Sequence, residues 1–114
     1  MIDWNVFTSY LGNFDKEQIL EFVDAFLTSF PEQVNGLKNA ITAKDYPAVG
    51  ISAHSLKSNC RWFGAVAAGD LAFQLELMGK KEKEDRMEEV FPAFEAAGNE
   101  LISELREYRK SQTD

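Results

Sequence analysis

Apolar side chains recur every three or four residues along nearly the whole chain, and this constrains the fold more than any other feature. Between residues 15 and 30 they stand at Ile19, Phe22, Val23, Phe26, Leu27 and Phe30, one broad stripe on a helix. The stripe continues through Val34, Leu37 and Ile41, so Pro31 is expected to kink this helix or start a new turn, not to end it. Asp15 suits an N-cap after Gly12 and Asn13, and Lys44 and Asp45 mark the stop. Segment 46–63 puts Val49, Ala53, Leu56, Cys60 and Phe63 on one face. A segment near 66–79 groups Leu71, Leu75 and Met78. The last segment, about 85–109, carries Met87, Val90, Phe91, Phe94, Leu101, Ile102, Leu105 and Tyr108, with Pro92 bending it locally. KKEKEDR at 80–86 reads as a solvated, charged connector. No stretch alternates apolar and polar residues as a half-buried strand does, and no repeat is visible. The expected fold is all-α: an antiparallel four-helix bundle, with Trp4–Leu11 as a short additional N-terminal helix capping one end. The nine phenylalanines are then mainly core.

At 114 residues the chain has room for one domain, 1–114, with the last few residues expected to fray. Twelve basic against nineteen acidic residues give a net charge of −7, which repels phosphate backbones and argues against nucleic acid as a partner. MIDWNVFTSY lacks the basic and apolar regions of a signal peptide, and no apolar run approaches the ~20 residues of a membrane span. A cytoplasmic monomer with no membrane contact is expected. Its start at Met1 and one-domain length suggest a free-standing protein, not a fragment of a kinase.

The chain has one histidine, His54, and one cysteine, Cys60. That leaves no internal disulfide, no cysteine-cluster metal site and no three-histidine zinc site, so no metal is expected. The glycines are scattered and form no phosphate-binding loop. Any histidine chemistry belongs to His54. At 100° per residue, the core positions of its helix average near −40° from Ala53, which puts His54 about 140° away from the core direction. Ser58 then lies at about 180°, Arg61 at about 120° and Lys57 at about 80°. Lys57 and Ser58 are one turn from His54, at i+3 and i+4, where helical side chains are neighbours. Cys60 falls on the core face and reads as a small buried hydrophobe. Trp62 is expected to be covered by the N-terminal helix, through Trp4 and Phe7.

The stretch AHSLKSNCRWFGA, Ala53 to Ala65, resembles the signature of histidine-containing phosphotransfer (HPt) domains: His-x-x-Lys, then small residues, then Gly-Ala ten residues after the histidine. His54, Lys57, Gly64 and Ala65 match it in type and spacing. Phe30-Pro31-Glu32 with Leu37, Ala40 and Asp45 resembles the preceding helix of that family, and Leu75-Glu76 the end of its conserved stretch. The similarity covers about residues 15–80. The sequence departs from the pattern at Ser58, where a glycine is usual, at Cys60, and at Ala68, where a larger apolar residue is frequent.

The resemblance implies a phosphorelay carrier. His54 would be the phosphoacceptor, and Lys57 would screen the charge of the phosphoramidate as a compact cation. Arg61 and Ser58 would lie on the surface a partner approaches. Gln74, near the edge of the next helix's core face, would hydrogen-bond the imidazole or the phosphoryl group, and Gly64 would permit a tight helix end. The implied partners are receiver domains of response regulators or a hybrid sensor kinase. The domain would need no cofactor of its own, with the divalent metal on the receiver, and would be a carrier and not a self-sufficient enzyme. Two alternatives remain at this point. One is a non-covalent interaction module with His54 incidental. The other is a hydrolase or lyase, which lacks support in any oxyanion-type loop or metal cluster.

Overall fold

A computed structural model describes residues 1–82 and 86–113, the side chain of Thr113 excepted; 83–85, within the expected connector, and Asp114 lie outside the described residues. The chain forms α1 (Trp4–Leu11), α2 (Lys16–Thr42), α3 (Tyr46–Trp62), α4 (Val66–Lys80) and α5 (Met87–Thr113). α2 packs on α3 and α5, α4 packs on α3 and α5, and α1 lies against α3. The bundle is therefore a ring of four helices with a fifth at one end. The last helix runs to Thr113, past the end the apolar pattern suggests.

Local chemistry sets the boundaries. Asp15 caps α2 through a capping box: its carboxylate accepts from the Gln18 N–H at 2.8 Å, and the Gln18 side chain accepts from the Asp15 N–H at 3.1 Å. Pro31 and Pro92 both stay inside their helices, the first as the continuing apolar stripe requires. α2 is C-capped by Ala43, and Lys44 turns the chain at a φ of 57°. α3 ends in a Schellman motif: Ala65 N–H donates to Cys60 O and Gly64 N–H to Arg61 O, with Gly64 at a φ of +77°. The expected tight turn at Gly64 has a second purpose. Asp3 N–H donates to Gly64 O at 2.7 Å, and a Cβ on Gly64 would lie 2.5 Å from Asp3 O. The turn is thus the dock for the segment that leads into α1. Gly64→Ala should cost about 2 kcal/mol from the left-handed backbone alone, a fall in melting temperature of roughly 10 °C. A melt unchanged by this substitution would mean that the turn does not hold residue 64 in the left-handed region.

The predicted cover of Trp62 needs correcting. Its ring stacks on Tyr10, at 5.7 Å between centroids, and meets Phe14 and Phe22 at 6.3 Å. Trp4 and Phe7 instead pack on each other and on Tyr108, and Phe7 also on Phe63. The N-terminal helix does cover Trp62, but through its last turn. Phe26, Phe30, Phe63 and Phe94 link through the core. Cys60 is fully buried, and burial pushes its thiol up to about 12, so it packs as a neutral hydrophobe.

α3 and α4 approach closest. A Cβ on Gly79 would come 2.6 Å from the Gly50 backbone nitrogen and 2.9 Å from Tyr46 O. Two glycines therefore let one helix backbone rest on the other. This contact sets the spacing across which the side chains of the site meet.

Candidate functional site at the α3–α4 face

His54 sits in the middle of α3 with its side chain 60% exposed, on the outer face that the helical projection gives it. It is not a free surface ring. Its Nδ1 lies 3.1 Å from Oε2 of Glu76, which comes across from α4. Glu76 is 2% exposed, the one buried charged residue among the described residues. Lys57 Nζ stands 2.7 Å from its Oε1 and Lys80 Nζ 2.9 Å from its Oε2.

The electrostatics of this cluster follow. Burial alone would raise the Glu76 carboxyl, but hydrogen bonds from Lys57, Lys80 and His54 outweigh it and hold the group down at about 2. Glu76 is thus ionised at neutral pH and can only accept, so the shared proton is on the histidine: Nδ1–H donates to Oε2. In the neutral ring the remaining lone pair is then on Nε2. The carboxylate fixes both the tautomer and the orientation of an otherwise exposed imidazole.

The other expected site residues fall in different places. Lys57 is only 15% exposed; its ammonium is tied to Glu76 and lies 5.1 Å from the centre of the Phe73 ring. Arg61 shares that ring at 5.7 Å, pairs with Asp70 at 3.3 Å, and lays its alkyl chain over Gly69. Ser58 is exposed, and among the described residues no hydrogen bond joins it to His54. Gly64 is buried under Asp3 and Phe7, away from solvent, which removes it from any contact surface. Gln74 is exposed and lines a hollow with Leu77, Met78, Lys81 and Arg86. The residue of α4 that bonds the imidazole is Glu76, two positions on and about 200° further round the helix. Lys80, the second cation at the site, falls in the charged connector by sequence; α4 runs one residue past the expected end at 79 and brings it in at i+4 from Glu76.

A hollow of about 380 Å³ opens beside His54, between the N-terminal half of α3 and the end of α4. A larger one, about 550 Å³, lies between α2 and α5 around Pro31, Lys38 and Arg106, and takes no lining from α3 or α4. No group of three His, Cys, Asp or Glu among the described residues could hold a metal ion. No described helix is long and apolar enough to cross a membrane.

Fold and site together define a class: a helical bundle that presents one imidazole on its surface, oriented by a buried carboxylate and flanked by lysines. The sequence model of the Hpt domain family matches residues 21–110, and the chain belongs to that family. A search of solved structures gives the histidine-containing phosphotransfer protein B (HptB) of Pseudomonas aeruginosa PAO1, at a TM-score of 0.89 and 22% identity, covering 96% of this chain and 95% of that one. The phosphorelay intermediate protein rdeA of Dictyostelium discoideum is 23% identical over 97 residues, 85% of this chain. This chain spans 38% of the length of that relative.

Proposed function

We propose that the chain is a phosphocarrier of a multistep phosphorelay, with His54 as the residue that bears the phosphoryl group between receiver-domain aspartates. The observation that carries this reading is the exposed imidazole whose Nδ1–H is anchored on Glu76, which leaves Nε2 as the nucleophile. Nε2 attacks the phosphorus of a receiver's aspartyl phosphate, the N–P bond forms as the O–P bond breaks, and the aspartate departs as a carboxylate. The ring acquires positive charge, which the Glu76 carboxylate stabilises through the Nδ1–H bond. A second receiver's aspartate then attacks the phosphorus and the neutral imidazole leaves. Covalent relay divides one transfer into two easier ones. The acidic, metal-binding site that accelerates each transfer belongs on the receiver.

The test is incubation with phosphorylated receiver domains, followed by detection of label on this chain. Binding of receivers that never yields label, and that persists in His54→Ala, would support a non-covalent module instead. Lys57 is proposed to act at this site through Glu76 as much as through the phosphoryl group. Lys57→Ala should slow transfer several-fold, the effect of a contact worth on the order of 1 kcal/mol. Unchanged rates in both directions would reduce it to a structural lysine.

A further inference from the structure

Phe73 is the one exposed phenylalanine of the nine, with 40% of its surface open. A single apolar residue on a surface is ordinary and carries no argument by itself. Its neighbours set this one apart. On α4 it stands three residues before Glu76 and seven before Lys80, on one stripe of the helix. His54, Lys57 and Arg61 stand at the same spacings on α3 and meet that stripe side chain to side chain. The Lys57 ammonium lies over the Phe73 ring, 5.1 Å from its centre, and 2.7 Å from Oε1 of Glu76, so it is held between a ring face and a carboxylate. The Arg61 guanidinium lies over the same ring at 5.7 Å and pairs with Asp70 at 3.3 Å. A lysine stem is flexible and its ammonium is strongly hydrated, yet Lys57 is mostly buried here. Among the described residues no other aromatic ring lies under either cation.

We propose that Phe73 is a positioning residue for the chemistry of His54: its ring holds the Lys57 ammonium on Glu76 and, through that carboxylate, keeps the imidazole neutral and nucleophilic. The proposal rests on the phosphocarrier reading above and adds to it a residue that acts at one remove. The two oxygens of Glu76 are engaged differently. Oε2 is shared by the His54 Nδ1–H and Lys80, whereas Oε1 has Lys57 as its one ionic partner among the described residues. A cation over the face of a phenyl ring is attracted by the ring quadrupole, most strongly where water is excluded. Without that face the lysine stem is free to carry its charge out to solvent. Oε1 would then be buried with no counter-ion, and the imidazole would face a carboxylate with one neutralising cation fewer. That favours the imidazolium, whose Nε2 carries a proton and cannot attack. The charged groups on the imidazole's cluster are Lys57 of α3 and Glu76 and Lys80 of α4. Tyr46 lines the hollow beside it, and the Arg61–Asp70 pair lies beyond Lys57. No ion pair reaches the cluster from α2 or α5 among the described residues.

The experiment uses the full chain and phosphoramidate, a small donor that needs no docking surface. Nε2 attacks its phosphorus, the new N–P bond forms as the old one breaks, and ammonia leaves. Phe73→Leu keeps the apolar bulk and removes the aromatic face; Phe73→Tyr keeps the face. Both should melt close to the native chain, because the position is exposed. Each rate is taken relative to the native chain at the same pH, so the donor's own titration cancels. Phe73→Leu should take label about three-fold more slowly at pH 6, the effect of one lost cation–π contact. At pH 8.5, where imidazoles are neutral, it should be no slower than native. Phe73→Tyr should match the native rate at both pH values. In a Lys57→Ala background, Phe73→Leu should cause no further loss. A Phe73→Leu rate within about 1.5-fold of native at pH 6 overturns the proposal. So does an equal loss at both pH values, a loss that Phe73→Tyr shares, or a loss that persists without Lys57. Each of these leaves the carrier reading intact. If the native chain takes no label at His54, the carrier reading fails and the proposal with it.

Discussion

His54→Gln should abolish phosphoryl acceptance entirely, from receivers and from phosphoramidate alike, and leave a folded bundle. The ring stands 60% exposed, so its removal opens no cavity. Lys57 and Lys80 still hold Glu76 in the variant, which keeps the stability loss below about 1 kcal/mol. Glutamine retains an N–H that can reach the carboxylate, yet it offers no nucleophilic nitrogen. The native adduct should be labile in acid and durable in base, as an N–P bond to imidazole requires. Label that survives acid and is lost in base would identify an acyl phosphate and put the acceptor on a carboxylate instead.

The second large effect is expected at Glu76. A glutamine there keeps the shape but removes the charge that two lysines and the imidazole share. Lys57, 15% exposed, would then be left with a partly buried charge and no counter-ion. The expected cost is about 2 kcal/mol. The acid response gives an independent signature. The folded carboxyl titrates at about 2, below the ordinary 4.5. Its stabilising contribution is therefore complete above about pH 4.5 and is lost as the pH falls toward 2. Native protein should show a falling melting temperature across that window, and Glu76→Gln a much flatter one. Transfer should also slow, because the amide can donate to Nδ1 and favour the wrong tautomer. A variant that melts like the native chain at pH 7 and keeps its acid sensitivity would show that the cluster is not held by Glu76.

Much of this was legible in the amino-acid order, for a definite reason. Helices with one buried face repeat every 3.6 residues, and Phe22, Phe26 and Phe30, or Phe94, Leu101 and Leu105, carry that repeat unambiguously. The same arithmetic applied to α3 gives the outward direction of His54. What it cannot give is which side chain crosses from the neighbouring helix. That depends on how closely α3 and α4 approach and on their relative rotation, which the Gly50–Gly79 contact fixes. Gln74 borders the apolar stripe of Leu71, Leu75 and Met78, whereas Glu76 stands about 100° beyond it, and a buried glutamate looks costly until its partners are known. A signal was present: Glu76 and Lys80 stand at i, i+4, with Lys57 on the facing helix. Trp62 teaches the same limit. Period alone puts α1 near it, but the bond from Asp3 to Gly64 decides that Tyr10, and not Trp4, reaches the indole.

The backbone contact between α3 and α4 also governs how the molecule opens. α1 is held by the turn at Gly64 and by ring contacts at the bundle's end, so its amides should exchange with solvent by local fraying. α3 and α4 cannot separate without parting Gly79 from Gly50, and the amides around His54 should exchange only when the whole bundle unfolds. The imidazole, its carboxylate and both lysines thus ride on the slowest-exchanging unit of the chain. A population that has shed α1 would still carry a complete acceptor site, and loss of the N-terminal segment would register in thermal stability long before it registered in phosphoryl transfer.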